Sequence, residues 1–454
     1  MASRRLLLKA LSSSLHTHFL SVASIGRCLS LHVPSPLQRQ FVREYNLTTP
    51  RFKVKIKKDR PLDGVAAKVK ELHPVIVIRD LILKFPKKAI PFRLITMKRR
   101  DLGLKMSDDK VEHLMKRYPN AFEFFIHPDD KQPWCKLTPH FIDLLKEEKR
   151  IHMQQEPFVV EKLRKLLMLA KNRKIPIEKL LAAARYFGFP DDFPVSVIPK
   201  YPQYFRVLDP QRTYRALELV EWDESLAITK LEKKAKLTAL EKGLGEIETR
   251  GKPLPFKLKY SAGMQIKKKV LQKIDRWQKL PYICPYQQVD WVKEDPVLVE
   301  RKVAALLHEV LSLTVEKKIL IQVIGDFKEE FNLPDRVARA FNRFPGIFYI
   351  SVKGSVHTVF LREAYNKRHL VDEHTHPLVR LKWKYHKMIQ DGPRLRSMGF
   401  KATNKVENIG TVPKRAVIID SLITEDEASS DEVESGDEFM FTDSEGDAEK
   451  KVVF

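Results

Sequence analysis

Basic and aromatic side chains alternate near the end of the folded part of this sequence, and their chemistry suits a nucleic acid. Arg380, Lys382 and Lys384 enclose Trp383. Lysine and arginine neutralise phosphates, and an exposed aromatic ring stacks on an unpaired base. Because both contacts must be made from one surface, the pattern predicts an element that presents these side chains together.

Further basic clusters stand near the start or middle of a repeated pattern described below. One such run taken alone is typical of a solvated helix face. The prediction of RNA contact therefore rests on all the clusters together and not on any single one. The candidate RNA-contact residues are Lys98, Arg99, Arg100, Arg117, Lys171, Arg173, Lys174, Lys200, Lys317, Lys318, Arg343, Arg380, Lys382, Trp383 and Lys384.

The net charge is +25 at pH 7 over 454 residues, and it is unevenly spread. Residues 1–43 hold six Lys or Arg and no acid, whereas residues 425–454 hold twelve acids and two lysines. The segment between them is therefore more basic than the whole chain. A polyanion would offset its self-repulsion, which indicates a nucleic acid. An acidic membrane surface is the alternative, but we find no lipidation motif and no long uncharged apolar run.

The two ends have compositions unlike that of a folded domain. Residues 1–43 are rich in Ser, lack acid and begin with a short basic and leucine-rich run, which is typical of an organelle transit peptide. Arg and Leu near the start favour a mitochondrion, with a chloroplast as the alternative, and a disordered basic arm is the competing interpretation. Residues 425–454 are predicted to be an acidic disordered tail.

A pattern of basic residue, aromatic, Pro, two free positions and Phe occurs three times. The copies are Arg117–Phe122, Lys200–Phe205 and Arg343–Phe348, with Asp109, Asp192 and Asp335 nine residues before each aromatic. Apolar residues seven, four and three positions before the aromatic predict a helix, which the acid begins and the Pro ends. We therefore predict that the aromatic of each copy is buried and that its basic neighbour is exposed.

The second copy contains Pro199 inside the expected helix, which predicts a short or distorted helix there. Helical stripes also precede the second and third copies, and paired apolar runs around Lys353–Ser355 predict a hairpin after the third. Helices followed by a hairpin have a winged-helix-like order. The predicted fold is mainly α with small β-hairpins, as about three winged-helix-like repeated units in an extended basic body.

These patterns divide the chain. We predict a transit peptide at 1–43, an RNA-binding region at 44–390, a basic linker at 391–424 and the acidic tail at 425–454. Within the RNA-binding region the units span about 70–145, 157–222 and 298–365, and the charged stretch 225–277 is predicted to be an exposed helical or irregular connector.

Enzyme signatures are absent from the sequence. We find no GxxxxGK[ST] phosphate loop, no GxSxG elbow and no HExxH motif, and the three cysteines lack CxxC spacing. The pairs Asp129–Asp130 and Asp191–Asp192 suggest a metal-dependent nuclease as the weakest alternative. No catalytic residue, metal or cofactor is therefore predicted.

The ordered set of features resembles the plant organelle RNA recognition family over about three-quarters of the chain. The resembling segments are Lys53–Asp59, Val77–Asp80, Gly188–Phe193 running into Lys200–Pro202, Asn332–Asp335 running into Arg343–Pro345, and His374–Leu378. The resemblance implies a land-plant protein in a mitochondrion or chloroplast that binds organellar intron RNA in group II intron splicing, without catalytic residues and with other splicing factors as possible partners. The alternative is a scaffold or RNA-binding component of an organellar ribosome or transcription complex.

Overall fold

The structure, a computed structural model, describes residues 57–100, 108–208, 215–243, 252–287, 296–354, 356–371 and 376–398. The predicted transit peptide, the acidic tail and most of the linker lie outside these ranges. The described chain is mainly helical with small antiparallel sheets, which confirms the predicted mainly α class.

One order of elements, helix–strand–helix–helix–strand–strand, occurs three times. The first unit comprises α1 (Arg60–Leu83), β1 (Ala89–Pro91), α2 (Phe92–Met97), α3 (Asp108–Arg117), β2 (Phe122–Ile126) and β3 (Pro133–Leu137), and is followed by α4 (Pro139–Gln154). The second comprises α5 (Glu156–Leu169), β4 (Lys174–Pro176), α6 (Ile177–Phe187), α7 (Phe193–Ser196), β5 (Phe205–Leu208) and β6 (Ala216–Leu219). The third comprises α10 (Pro296–Leu313), β7 (Lys318–Leu320), α11 (Ile321–Asp326), α12 (Val337–Arg343), β8 (Phe348–Ser351) and β9 (Thr358–Leu361).

The three sheets share one topology and one register. In each, the last strand lies between the first and the second, and all pairs are antiparallel. A Phe opens each hairpin opposite a Leu that closes it: Phe122 with Leu137, Phe205 with Leu219 and Phe348 with Leu361. Identical register in three sheets shows that the repeated sequence pattern encodes a repeated structure.

The aromatic-Pro pair forms the same turn in every unit. The carbonyl oxygen of Tyr118, Tyr201 or Phe344 accepts hydrogen bonds from the amides three and four residues later. Pro disfavours helical backbone at the residue before it, so the helix ends and the chain turns into the hairpin. Tyr118 and Phe344 are buried as predicted, whereas Tyr201 is only half-buried and its hydroxyl donates to Glu156.

The prediction that Asp109, Asp192 and Asp335 begin helices is only partly correct. Asp192 is the N-cap of α7 but makes no side-chain capping bond. For α12 the prediction is wrong, because Arg336 is the N-cap and Asp335 pairs with Lys328. The side chain of Asp109 lies outside what the structure describes. The short helix predicted before Tyr201 is confirmed, since α7 ends at Ser196 and a 3-10 turn follows.

The charged stretch between the second and third units is not simply an exposed connector, so that prediction is wrong. It contains α8 (Lys230–Glu241) and α9 (Lys268–Gln278), and it buries Leu254, Phe256 and Trp277 in the core shared by those units. The fully buried guanidinium of Arg301 donates to the carbonyl oxygens of Trp277, Pro281, Leu254 and Gln278. Burial lowers the pKa of Arg301 to about 10, and these carbonyls supply the acceptors that a buried cation requires.

A second core belongs to the first unit and recruits the last helix. After a short hairpin of β10 (Tyr365–Asn366) and β11 (His369–Leu370), α13 (Pro377–Ser397) buries Leu381, Tyr385 and Met388 among the apolar residues of α1, α3 and α4. The chain therefore returns from the third unit to close the first. In the described ranges, no helix has the length and apolar character needed to cross a bilayer.

The burial of Phe344 yields a stability prediction. Phe344 is 6% exposed and its ring centroid lies 4.8 Å from that of Trp277. Phe344→Ala should lower the free energy of unfolding by about 3–5 kcal/mol, as large-to-small core substitutions do. Arg343→Ala is the neighbouring control, because its partly exposed ion pair with Glu300 contributes only about 0–1 kcal/mol. Thermal melts of both variants check this, and equal losses would contradict the core assignment.

Candidate nucleic-acid interface

Helix α13 is fixed against the first unit by close backbone contacts. A Cβ added at Gly392 would lie 2.7 Å from Cδ1 of Tyr118 and 3.1 Å from the carbonyl oxygen of Arg117, so only glycine fits. The side-chain amide of Asn120 also donates to the carbonyl oxygen of Met388 at 2.6 Å. These contacts hold α13 beside the aromatic-Pro turn that ends α3.

The solvent side of α13 carries a row of cations and a tryptophan. We call this surface the α13 stripe; it consists of Arg380, Trp383, Lys384, Lys387 and Arg394. Their spacing of three, four and seven residues places them on one side of the helix, opposite the buried Leu381 and Tyr385. Trp383 is 56% exposed, which is unusual for a large apolar ring.

Among the residues that the structure describes, carboxylates neutralise the cations of the stripe only weakly. Lys384 pairs with Glu147 at 2.8 Å, and the ammonium of Lys387 lies 5.8 Å from the centroid of the Trp383 ring. An exposed pair with a carboxylate contributes little, so a phosphate can displace it at small cost. The arrangement thus offers charge for phosphates and an aromatic ring for a base.

A network of ions beneath α13 ties the units together. Arg79 on α1 donates to Glu148 at 2.9 Å and to Asp80, and the Tyr385 hydroxyl donates to the same Glu148. Arg185 of the second unit then bridges Asp80 and Asp191. Burial, reinforced by the negative charge of Glu148, raises the pKa of Tyr385, so its hydroxyl stays protonated and donates to the carboxylate.

Two of the predicted contact residues meet around one internal carboxylate, and a third caps a neighbouring helix end. Glu316 pairs with both Lys318 and Lys382, and Lys318 is 6% exposed. Lys317 donates to the carbonyl oxygens of Ser312 and Thr314 at the end of α10. Burial alone would raise the pKa of Glu316, but the two lysines outweigh it and lower that pKa.

The placement around Glu316 corrects the contact prediction for Lys318, because a buried, paired ammonium cannot reach RNA without unfolding its surroundings. Lys382 is partly exposed but serves the same carboxylate. Its pair with Glu316 holds α13 to the third unit, and no sequence pattern indicates that this carboxylate is internal.

The cluster in the second unit is open to solvent. Lys171, Arg173 and Lys174 are all exposed and lie in the turn that leads from α5 into β4. Lys174 pairs with Glu218 on the neighbouring strand at 3.1 Å. This cluster lies on a different element from the α13 stripe.

The remaining predicted residues lie at separate places. Arg117 is exposed, with its guanidinium 5.9 Å from the centroid of its neighbour Tyr118, and Lys200 is exposed and paired with Glu156. Arg343 is not fully exposed, since its side chain is 30% accessible and bonded to Glu300. After α2, Lys98 and Arg99 are half-buried and Arg100 is exposed.

The acids considered for metal-dependent cleavage have other partners. Asp191 binds Arg185, and Asp130 accepts from the indole N–H of Trp134 at 3.0 Å. Among the residues that the structure describes, no group of three or more His, Cys, Asp or Glu side chains is arranged to hold a metal ion.

Two cations of the stripe, Lys387 and Arg394, were not among the sequence candidates. The signal that identifies them is helical spacing from Arg380 and Lys384, which becomes usable once the helix is known to extend to Ser397. The alternating sequence around Trp383 draws attention to Lys382 instead, which lies on the side facing Glu316.

A strongly basic, mainly helical repeat body with an exposed tryptophan among cations defines a nucleic-acid-binding protein. The family model described as the plant organelle RNA recognition domain matches residues 57–394. The chain belongs to that family, which confirms the resemblance, and it is an RNA-binding protein of the plant organelle class.

Relatives in flowering plants support this membership. ROOT PRIMORDIUM DEFECTIVE 1 of Arabidopsis thaliana is 33% identical over 72% of this chain and 80% of its own length. The chloroplastic WHAT'S THIS FACTOR 1 homolog of Oryza sativa is 31% identical over 83% of this chain and 73% of its own. The mitochondrial WHAT'S THIS FACTOR 9 of Arabidopsis thaliana is 27% identical over 80% of this chain and 94% of its own length. No solved structure matches the chain.

The lysine pair on Glu316 predicts a pH-dependent stability defect. Glu316→Gln should lower the free energy of unfolding by about 3–5 kcal/mol at pH 7, because the buried Lys318 ammonium loses its counter-charge. In this variant the buried Lys318 binds a proton less readily in the folded state than in the unfolded state. The loss of stability relative to the wild type should therefore shrink as pH rises. Denaturant unfolding between neutral and alkaline pH measures this.

The control for that experiment is Glu147→Gln, which removes only the exposed pair with Lys384. Its cost should be about 0–1 kcal/mol with little pH dependence. If the Glu316→Gln variant is as stable as this control, the ion pairs of Glu316 with Lys318 and Lys382 do not stabilise the packing of α13.

Proposed function

We propose that this protein binds organellar intron RNA and stabilises its folded form during group II intron splicing, without catalysis of its own. The observation that carries the proposal is the α13 stripe, a fixed row of four cations around an exposed tryptophan. The family's RNA recognition supports the substrate class, and splicing follows from the resemblance set out above.

The stripe would act by neutralising phosphates and by stacking. Structured introns bring phosphates close together, and cations held on a rigid helix lower that repulsion without having to be ordered at binding. Trp383 would add contact to a base in an unpaired region, where the ring face is accessible. Phosphate contacts position the protein, and base contacts supply what sequence preference it has.

We also propose that each unit is winged-helix-like. The order of elements and the three-stranded sheet support this, because a helix, strand, two helices and a hairpin follow one another in each unit. In such units one helix or the hairpin contacts the nucleic acid, which adds Arg117 and Lys200 to the candidates beyond the stripe.

For location we propose a mitochondrion, with a chloroplast as the alternative. The acid-free, Arg- and Leu-containing start supports this choice. The relatives' names include both organelles, so they support an organelle and not a choice between the two.

The stripe predicts a steep salt dependence of RNA binding. Replacing Arg380, Lys384, Lys387 and Arg394 by Ala together should lower affinity for structured intron RNA at least tenfold, since each lost phosphate contact reduces the slope of log affinity against log salt by about 1. The matched control replaces four exposed lysines around the start of α9, at positions 267, 268, 269 and 273. Filter binding across a salt series on the full chain measures both variants, and equal losses would contradict a role specific to α13.

Crosslinking in intact organelles separates splicing from the scaffold alternative. Reads recovered with the protein should concentrate in mitochondrial introns, because the proposed surface serves intron RNA. A concentration in ribosomal RNA would favour the ribosomal scaffold, and reads from chloroplast introns would overturn the organelle while keeping the function.

A further inference from the structure

The turn before the first strand ends in the same way in all three units. Its last residue is basic and has left-handed backbone each time: Lys88 with φ 49°, Arg173 with φ 56° and Lys317 with φ 52°. In the third unit this turn faces the protein interior, since Lys317 caps α10 and Lys318 is buried against Glu316. In the second unit the corresponding residues are exposed.

The second unit's turn also carries backbone strain that the others lack. Asn172 precedes Arg173 and is itself left-handed, with φ 61° and ψ 12°. Left-handed backbone is tolerated by Asn but disfavoured for a long side chain such as Arg, and two such residues in succession persist only where the surroundings hold them. Strain of this kind concentrates at binding sites.

An open cleft of about 360 Å³ lies at this strained turn. Its size falls within the range of about 300–1,000 Å³ found for small-ligand sites. The lining residues are Asn172, Arg173, Arg206, Glu218, Leu219 and Val220. Glu218 pairs with Lys174 at 3.1 Å and with Arg206 at 3.7 Å, so one carboxylate holds two cations at the cleft and the local charge stays positive.

A stacking surface adjoins the cleft. The Arg173 guanidinium lies 5.1 Å from the centroid of the Trp222 ring, and the indole N–H of Trp222 donates to Glu224 at 3.0 Å. Bases in single-stranded RNA stack on aromatic rings and on arginine planes, and this pair supplies both. The asparagine amide at position 172 adds a donor and an acceptor for a base edge.

We propose that this cleft binds one unpaired nucleotide of the RNA, with its base against Arg173 and Trp222 and its phosphate at Arg206 and Lys174. The inference rests on the proposed RNA-binding function and adds a subsite distinct from the α13 stripe. The third unit lacks the subsite because its corresponding turn faces inward toward Glu316.

The test compares two RNA probes on the full chain: a hairpin with an unpaired loop and a fully paired duplex of the same length. Trp222→Leu and Arg173→Ala should each weaken loop binding about tenfold, within the range measured for one stacked base, and leave duplex binding within about twofold. Arg206→Ala, at a side chain 64% exposed, should keep the fold and lower the salt slope by about 1.

Two controls complete the design. Lys367→Ala removes one charge from an exposed residue with φ 51° and should bind both probes like the wild type. Asn172→Gly keeps left-handed backbone at no steric cost, so a loss of loop binding there assigns a contact to the amide alone. Wild-type loop affinity in the Arg173, Trp222 and Arg206 variants would overturn the subsite, whereas a wild-type chain that binds neither probe would overturn the RNA-binding function itself.

Discussion

The excess of positive charge is the constraint on which the rest of this structure depends. The net charge of the chain is +25, and the body between its two ends is more basic still while also burying several of its cations. Each buried cation is therefore given an internal acceptor: carbonyl oxygens for Arg301, Glu316 for Lys318 and Asp59 for Arg362. The cations that remain exposed are then the ones that a polyanion can neutralise.

The internal pairs also determine how the repeated units are assembled. Asp63 near the start of α1 accepts from Tyr349 and Ser351, so the first unit covers the sheet of the third. Helix α13 then crosses back, joined to the third unit by Glu316 and to the first by its apolar face. Units of the same design thereby acquire different surfaces: the third unit's basic turn is packed inside, and the second unit's is open.

The sequence predicts local structure well here and assembly poorly. The aromatic-Pro pattern and its apolar register identify the turns and the buried Tyr118 and Phe344, because those signals act within about two turns of one helix. It does not predict that Phe256 and Trp277 are buried, because the Arg301 guanidinium that lies over both rings comes from far along the chain, as does the Phe344 ring beside Trp277. The sequence also does not predict whether Lys318 and Lys387 face the interior or the solvent. The orientation of a charged side chain depends on partners that are brought near it only in the tertiary fold.

RNA should lie on the α13 stripe and at the open turn of the second unit. Ultraviolet crosslinking of the full chain to intron RNA, followed by mass spectrometry of the protein, locates the contacts directly. Crosslinked peptides should contain Trp383 and the segment from Lys171 to Lys174. Crosslinks confined to the Lys-rich helices α8 and α9, with none at those two sites, would contradict RNA binding at both places.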